Sequence, residues 1–544
     1  MTSYHRDADT RRAKLDQEIY ALQLRISELK SERNALAPIS SLPIDILTLV
    51  FKATNNGPSV AGNSAIIFYI SWVCRLWREI ALHNQSLWNY IDCHRPKFVQ
   101  LCLDRAPSLQ LEFQHLCLEP SLLTRELLDT IMPELKRVSL LSLKGSNPPA
   151  TIYLEDFASN PAPKLRSLSL AGFQLPEGTR MFTGLPPPLR FLSLSNCSFQ
   201  WDAPIFGAEL TSLRIASPRS PLSLSGFLNV LCLMPRLQTL CLSNAFELVF
   251  TSLQPLPEGI AHLPDLTLLK ISECSTQICP FILLGLRFTN KTVVVFNLHD
   301  ISTAVSGFPL VLQALDVCTT DSPWPIDTIS IGHGQSSEIH LMSEQHVGST
   351  TTKMSMVCIT INPCVVDAAQ ILHSLRVFKH DNLETVIMNT AFLDIDVTDE
   401  IWRETLGDLP SLTKLKLRHG YANSFIDYLA REGRLISQNT PATVSPPLIK
   451  EQIRERITFK ALKVLEIVRF SELRAKTTFA DFLLAMSLRV GCDLKLVAMA
   501  FANCYFREFN MVALGGVLRR VHVCSEWGLS ADDGFTFPPS SVFP

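Results

Sequence analysis

The sequence predicts a mixed α/β chain, helical at its amino end and then built from short parallel strands stacked side by side. Three observations predict it. An apolar series at heptad spacing occupies residues 15–36, an apolar helical stretch follows Pro43, and a phrase of the form L-x-x-L-x-[LI] recurs from residue 135 to residue 467. A packed core agrees with the composition, since 47% of the 544 residues are hydrophobic and 18% charged. Such a chain is too apolar for disorder. Its longest apolar runs, "SGFLNVLCLM" and "PFILLGL", fall well short of a bilayer span. The start, "MTSYHRDADTRRAK", is charged and lacks the apolar core of a secretory signal. A cytoplasmic or nuclear location is therefore expected.

The first element is "LDQEIYALQLRISELKSERNAL", within residues 1–37. Leu15, Ile19, Leu22, Ile26, Leu29, Arg33 and Leu36 alternate steps of four and three, the seam of a short coiled coil. Self-association through residues 15–36, a partner helix, or docking on its own chain would each cover that seam.

Residues 38–95 form a second region. Pro43 and Asp45 suit a helix start, and "IDILTLVF" is apolar nearly all round. "TNNGPSVAGNS" (54–64) reads as a loop, and "AIIFYISWVCRLWREIAL" as a second helix. With "SLW" at 86–88, these pieces resemble an F-box in the form common in mushroom-forming fungi. The resemblance rests on Leu42-Pro43, Ile46-Leu47, Val50-Phe51 and then Val73-Cys74-Arg75-Leu76-Trp77-Arg78. It covers residues 39–90, with a longer loop than a compact F-box has. The resemblance implies docking on the Skp-type adaptor of a Skp–cullin–F-box ubiquitin ligase, and through it on cullin. Leu42, Pro43, Ile46, Leu47, Val50, Phe51, Val73, Cys74, Arg75 and Trp77 would then be the adaptor-binding residues. A helical bundle packed wholly on the rest of the chain is the alternative.

From 96 to 530 the recurring phrase dominates. Its copies are "LKRVSL" (135–140), "LRSLSL" (165–170), "LRFLSL" (189–194), "LTSLRI" (210–215), "LQTLCL" (237–242), "LTLLKI" (266–271), "LTKLKL" (412–417) and "LKVLEI" (462–467), with a weaker "LETVIM" (383–388). From 135 to 266 their starts lie 21–30 residues apart, the range of leucine-rich repeats, in which each unit gives one parallel strand and a returning helix or loop. The fold expected is therefore α/β, a horseshoe-like leucine-rich-repeat solenoid. Several copies run on into N or C, as in "LSLSNCSF" and "LKISEC". Between 280 and 380 the phrase fades, leaving irregular repeats or a second α/β domain. "SQNTPATVSPPLIKE" (437–451) reads as a mobile insertion and 531–544 as a tail.

At the x positions Lys136, Arg137, Arg166, Arg190, Arg214, Lys270, Lys414, Lys416 and Lys463 outnumber Glu384 and Glu466. Strand alternation would put such residues off the sheet. Arg166, Arg190, Arg214, Lys270, Lys414 and Lys416 are therefore candidates for gripping an acidic or phosphorylated protein target. Lysine and arginine that merely keep strands soluble are the plainer reading.

Catalytic signatures are missing from the sequence. It has no P-loop, no H-E-x-x-H, no G-x-S-x-G and no dinucleotide fingerprint. The 15 cysteines are odd in number and scattered. The nearest pairs, Cys274/Cys279 and Cys358/Cys364, lack a second pair or a histidine, so no metal and no cofactor are expected. The cysteines read as small core residues of a reducing compartment, where the sequons at Asn84, Asn196 and Asn290 carry no sugar. A net charge of −2 argues against general nucleic-acid binding. The function expected is recognition without catalysis: a substrate adaptor of a ubiquitin ligase. A scaffold with no ligase role, oligomerising through its N-terminal helices, comes next, and a hydrolase with an unrecognised site last.

Overall fold

The computed structural model describes residues 2–524 except 56–65, 94–95, 119–121, 146–153, 176–181, 184–185, 200, 202–204, 220–222, 247–258, 300–306, 320–325, 334–336, 348–349, 363–370, 373–381, 393–396, 440–445, 471–477, 495, 497, 503 and 505–520. The chain divides into two compact units, Met1–Leu210 and Thr211–Pro544. Most of the loop expected at 54–64, the middle of the insertion expected at 437–451 and the whole tail at 531–544 lie outside the described residues. No described helix is long and apolar enough to cross a membrane.

The first unit opens with α1 (Thr2–Ala35) and a 3₁₀ turn at Pro38–Ser41. Three short helices follow, α2 (Ile44–Asn55), α3 (Ile66–Val73) and α4 (Arg75–His83). The expected single helix from Ala65 to Leu82 is broken at Cys74. That residue is extended (φ −157°, ψ 172°), and its Sγ accepts from the Trp77 N–H at 3.5 Å, capping α4. The unit then lays down five strands, β1 (Tyr90–Asp92), β2 (Leu111–Leu118), β3 (Val138–Gly145), β4 (Ser167–Ala171) and β5 (Phe191–Ser195). Each is parallel to the next.

The phrase explains this arrangement. Leu168 and Leu170 of β4 sit beside Leu192 and Leu194 of β5, all buried. The intervening Ser169 and Ser193 face the other way. Each buried leucine contributes about 1.5–3 kcal/mol by leaving water. Register corrects one copy. Leu141 and Leu143 pair with Leu168 and Leu170, so the aligned phrase in β3 is "VSLLSL" (138–143), three residues beyond "LKRVSL". Lys136 and Arg137 consequently fall on a 3₁₀ turn, Met132–Arg137. Arg137 is consumed there by Glu134 and by the carbonyls of Ala106 and Leu109.

The second unit carries β6 (Ser212–Ala216), β7 (Thr239–Ser243), β8 (Ala261–Leu263), β9 (Leu268–Ser275), β10 (Leu286–Phe288) and β11 (Val293–His299). Next come β12 (Thr328–His333), β13 (Ser337–Val347), β14 (Thr350–Asn362), β15 (Thr385–Thr390), β16 (Lys414–Arg418), β17 (Val464–Val468), β18 (Ala498–Ala502) and β19 (Val521–Cys524). Strands β6, β7, β9 and β11 run parallel in that order, as do β15 to β19, while β8 and β10 form a separate pair. Where the phrase fades, a long antiparallel hairpin, β13–β14, is inserted between β11 and β12. Its alternation of buried Ile339 and Leu341 against Val357, Ile359 and Ile361 needs no leucine phrase. Residues 446–451, expected to be mobile, are helical within Pro446–Arg456. That helix docks through Ile453 on Ile436, Ile457 and Leu494.

Two constraints fix the strand ends and the second core. The residue two places past the last apolar position of the phrase is left-handed: Gly172 (φ 83°), Asn196 (52°), Ser217 (44°), Asn244 (45°), Glu273 (53°), His419 (56°) and Arg469 (56°). This conformation aims the N–H at a carbonyl of the next strand. Gly172 donates to Ser195, Asn244 to Ser272, His419 to Val468 and Arg469 to Ala502, at 2.9–3.0 Å. The following cysteines act as weak donors; Cys197 Sγ reaches the carbonyls of Leu170 and Ser195, and Cys504 Sγ those of Ile467 and Ala502. In the second unit a buried ion pair joins Arg489 of helix Phe479–Gly491 to Glu432 of helix Gly420–Gln438 at 3.2 Å. Glu432 also accepts from the Thr458 N–H and hydroxyl, and Arg489 donates to the Thr458 and Phe459 carbonyls. Burial, and then Glu432, push the neighbouring Tyr428 hydroxyl up to about 12.

Gly172→Ala should destabilise the first unit by more than about 1 kcal/mol, because a Cβ there would lie 2.3 Å from the Gly145 carbonyl oxygen. Asn244→Gly should stay within about 0.5 kcal/mol, since glycine keeps the left-handed turn. Arg489→Ala should cost about 3–5 kcal/mol by stranding Glu432. Denaturant unfolding midpoints of the full chain check all three.

Candidate functional site

The candidate site lies on α2 and α3. The Pro43 carbonyl accepts the first helical bond, from Leu47. A helix started there puts Leu47 and Phe51 on one side and turns Ile46, Leu49 and Val50 away from it, while Leu42 is extended just before the helix. The first side is the core of the module. Leu47 is fully buried, Phe51 is 2% exposed, and the Phe51 and Trp77 rings meet at 4.9 Å. Below them pack Ile67, Ile70, Ile80 and Ala81. Trp88 Nε1 donates to the Ala81 carbonyl at 2.6 Å, and the Arg105 guanidinium lies over the Trp88 ring. Asn84 Nδ2 donates to Thr48 Oγ1 at 3.2 Å, tying α2 to the end of α4.

The second side has no cover among the described residues. Leu42, Ile46 and Val50 are each about 40% exposed, and Leu49 is 59% exposed. Helix α3 repeats the pattern with Tyr69, Trp72 and Val73, of which Trp72 is 68% exposed. The Tyr69 and Trp72 rings meet edge to face at 5.8 Å, so they present a joined aromatic surface. Large apolar side chains left facing solvent in this way are a feature that interaction surfaces share.

Of the residues the sequence assigns to adaptor binding, Leu42, Pro43, Ile46, Val50, Val73 and Arg75 are exposed. Cys74 and Trp77 are half-buried. Leu47 and Phe51 are a correction: they are core residues that hold α2 in place. Arg75 Nη2 is engaged by Ser27 Oγ of α1 at 2.7 Å. The motif reading missed Ile44, Leu49, Tyr69 and Trp72, which are all exposed. Helical spacing from Ile46 and Val73 could have found Leu49, Tyr69 and, three residues on, Trp72.

The basic residues separate by unit. In the first, Arg166 and Arg190 are exposed on adjacent rungs just before β4 and β5, and the Arg190 N–H donates to the Arg166 carbonyl. In the second, Arg214 of β6 and Lys270 of β9 are exposed and flank Cys241 in one row, about 10 Å apart. Lys414 is half-buried. Lys416 must be removed from the solvent-facing set. It is 9% exposed, and its Nζ lies 3.0 Å from Glu466 Oε2 on the next strand. Burial pushes the Glu466 carboxyl up, while Lys416 and then Lys414 pull it down.

A further basic group, which the phrase pattern did not single out, stands where β16 and β17 end. Arg469 Nη1 is 3.4 Å from His419 Nε2, with Arg418 adjacent in sequence. Burial, then Arg469 and Arg418, hold the His419 imidazole below its ordinary range. Among the described residues no three His, Cys, Asp or Glu side chains gather as metal ligands. Burial pushes the Cys93 and Cys102 thiols up, which disfavours the reactive thiolate. Compared with known proteins, the chain matches no family model and no curated protein.

Leu49→Asp should leave the unfolding midpoint within about 0.5 kcal/mol of wild type, whereas Leu47→Ala should cost about 2–5 kcal/mol. Equal destabilisation by both would mean that the Leu49 side is covered by its own chain.

Proposed function

We propose that this protein is the substrate-recognition subunit of a Skp–cullin–F-box type ubiquitin ligase. The helical module 38–95 docks on a Skp-type adaptor, and the strand array, read as a leucine-rich-repeat solenoid, holds a protein target. One observation carries the reading. The two F-box-like pieces, "LPIDILTLVF" and "VCRLWR", build a small core through Leu47, Phe51 and Trp77, and apolar side chains of α2 and α3 turn to solvent. A helix face of this kind suits helix-in-groove binding. The solenoid reading is supported by sequential parallel strands and by a left-handed residue at the same place after seven of the phrases.

On this reading the mechanism is geometric. Joining adaptor and target in one chain raises the effective concentration of target lysines at the charged ubiquitin carrier. The chain itself supplies no covalent chemistry, and it acts in the cytoplasm or nucleus. Arg166 with Arg190, and Arg214 with Lys270, form the basic rungs that would favour an acidic or phosphorylated target segment.

Co-purification with a Skp-type adaptor should survive Leu47→Ile, and fall at least tenfold on Ile46→Asp/Leu49→Asp. A folded double variant that still binds the adaptor fully would reject this surface. Failure of the wild-type chain to bind any Skp-type adaptor would favour a scaffold with no ligase role.

A further inference from the structure

Helix α1 carries a second apolar face that neither the core nor the docking surface of the helical module uses. Leu15, Ile19, Leu22, Ile26 and Leu29 are each about half exposed, from 48% to 58%. The helix touches its own unit on the far side. Ser27, Ser31 and Asn34 are half-buried, Ser27 Oγ accepts from Arg75, and the Asn34 carbonyl accepts from Ser40 Oγ at 2.8 Å. Residues 27, 31 and 34 lie roughly opposite the 15–19–22–26–29 line on a helical cylinder. Contact with its own module therefore holds the seam away from that module.

The residue types point to another copy of this chain. In heptad terms Ile19 and Ile26 occupy a, and Leu15, Leu22 and Leu29 occupy d, an unbroken apolar seam for a second helix. Charges choose the direction. In a parallel pair in register Arg11 would flank Asp16 of the second copy, but Arg25 would flank Lys30, while Arg12 and Arg33, both at a, would each face their own counterparts. An antiparallel pair centred between Tyr20 and Ala21 removes every one of these clashes. Leu15 then faces Ile26 of the second copy, and Ile19 faces Leu22. Along the flanks Arg11 meets Glu32, Glu18 meets Arg25 and Asp9 meets Lys30, each twice by symmetry. The stem of Arg12 lies over Leu29 of the second copy. Residues 9–32 overlap, a seam of about 36 Å.

We propose that two copies of this protein associate through an antiparallel coiled coil of α1, with Glu18 of each copy paired to Arg25 of the other. The pairing does not depend on the ligase reading, and it leaves the exposed side of α2 outside the seam.

The test uses the full chain in sedimentation velocity across micromolar concentrations, with circular dichroism to confirm folding. Wild type should show a concentration-dependent dimer, and Ile19→Asp/Leu22→Asp a folded monomer. Arg25→Glu should weaken the dimer about tenfold by placing it against Glu18, and Glu18→Arg/Arg25→Glu should restore it. The double variant also lacks the exposed Arg25–Glu28 contact, so restoration cannot come from within one helix. A wild-type monomer at every concentration would overturn the proposal, as would a dimer indifferent to Ile19→Asp/Leu22→Asp. A dimer tightened by Arg25→Glu would overturn it too, because only the parallel pairing places that glutamate against Lys30.

Discussion

Phe51 against the Trp77 ring, with Leu47 beside it, locks α2 to α4, and this lock decides where the rest of α2 points. Once those two side chains are inside, helical geometry turns Ile46, Leu49 and Val50 outward. Rotating α2 to hide them would expose Leu47 and Phe51 in exchange. A twelve-residue helix with apolar residues on both sides cannot satisfy itself within a module this small. That side of α2 therefore stays apolar and solvent-facing among the described residues, and the Asn84–Thr48 hydrogen bond helps keep it in place.

A different constraint governs the strand array. Parallel strands must each turn away at the same depth, or the buried rows would lose register. After seven of the phrases a left-handed residue makes that turn, and the N–H of Gly172, Ser217, Asn244, His419 and Arg469 closes on the neighbouring strand. Glycine and asparagine take this conformation at low cost, whereas Glu273, His419 and Arg469 bear more strain. Within the second unit the Arg489–Glu432 pair, with further hydrogen bonds to Thr458 and Phe459, joins two helices at a point where a hydrophobic contact would carry no directional preference.

Much of this was legible in the sequence. The heptad of α1, the helix after Pro43 and nearly every strand of the leucine phrase follow from period alone, because 3.5, 3.6 and 2 residue repeats are fixed by backbone geometry. The "SN" after the phrase at Asn196 and Asn244 marked the turns. Other features depended on tertiary placement. "LKRVSL" and "VSLLSL" overlap in one string, and only pairing with β4 chose between them. The break at Cys74 has no proline or glycine to announce it. Lys416 looked like its solvent-facing neighbours until Glu466 came to lie beside it on β17. Within the candidate site, the motif named Leu47 and Phe51 together with Ile46 and Val50, since a pattern of apolar letters does not say which of them the core takes.

Hydrogen exchange of the full chain, with and without a purified Skp-type adaptor, tests the central claim most directly. Backbone amides of 42–51 and 69–73 should slow on adding the adaptor, while β4, β5, β16 and β17 keep their own rates. Unchanged exchange in α2 and α3 at saturating adaptor, or slowing confined to the strand array, would contradict it.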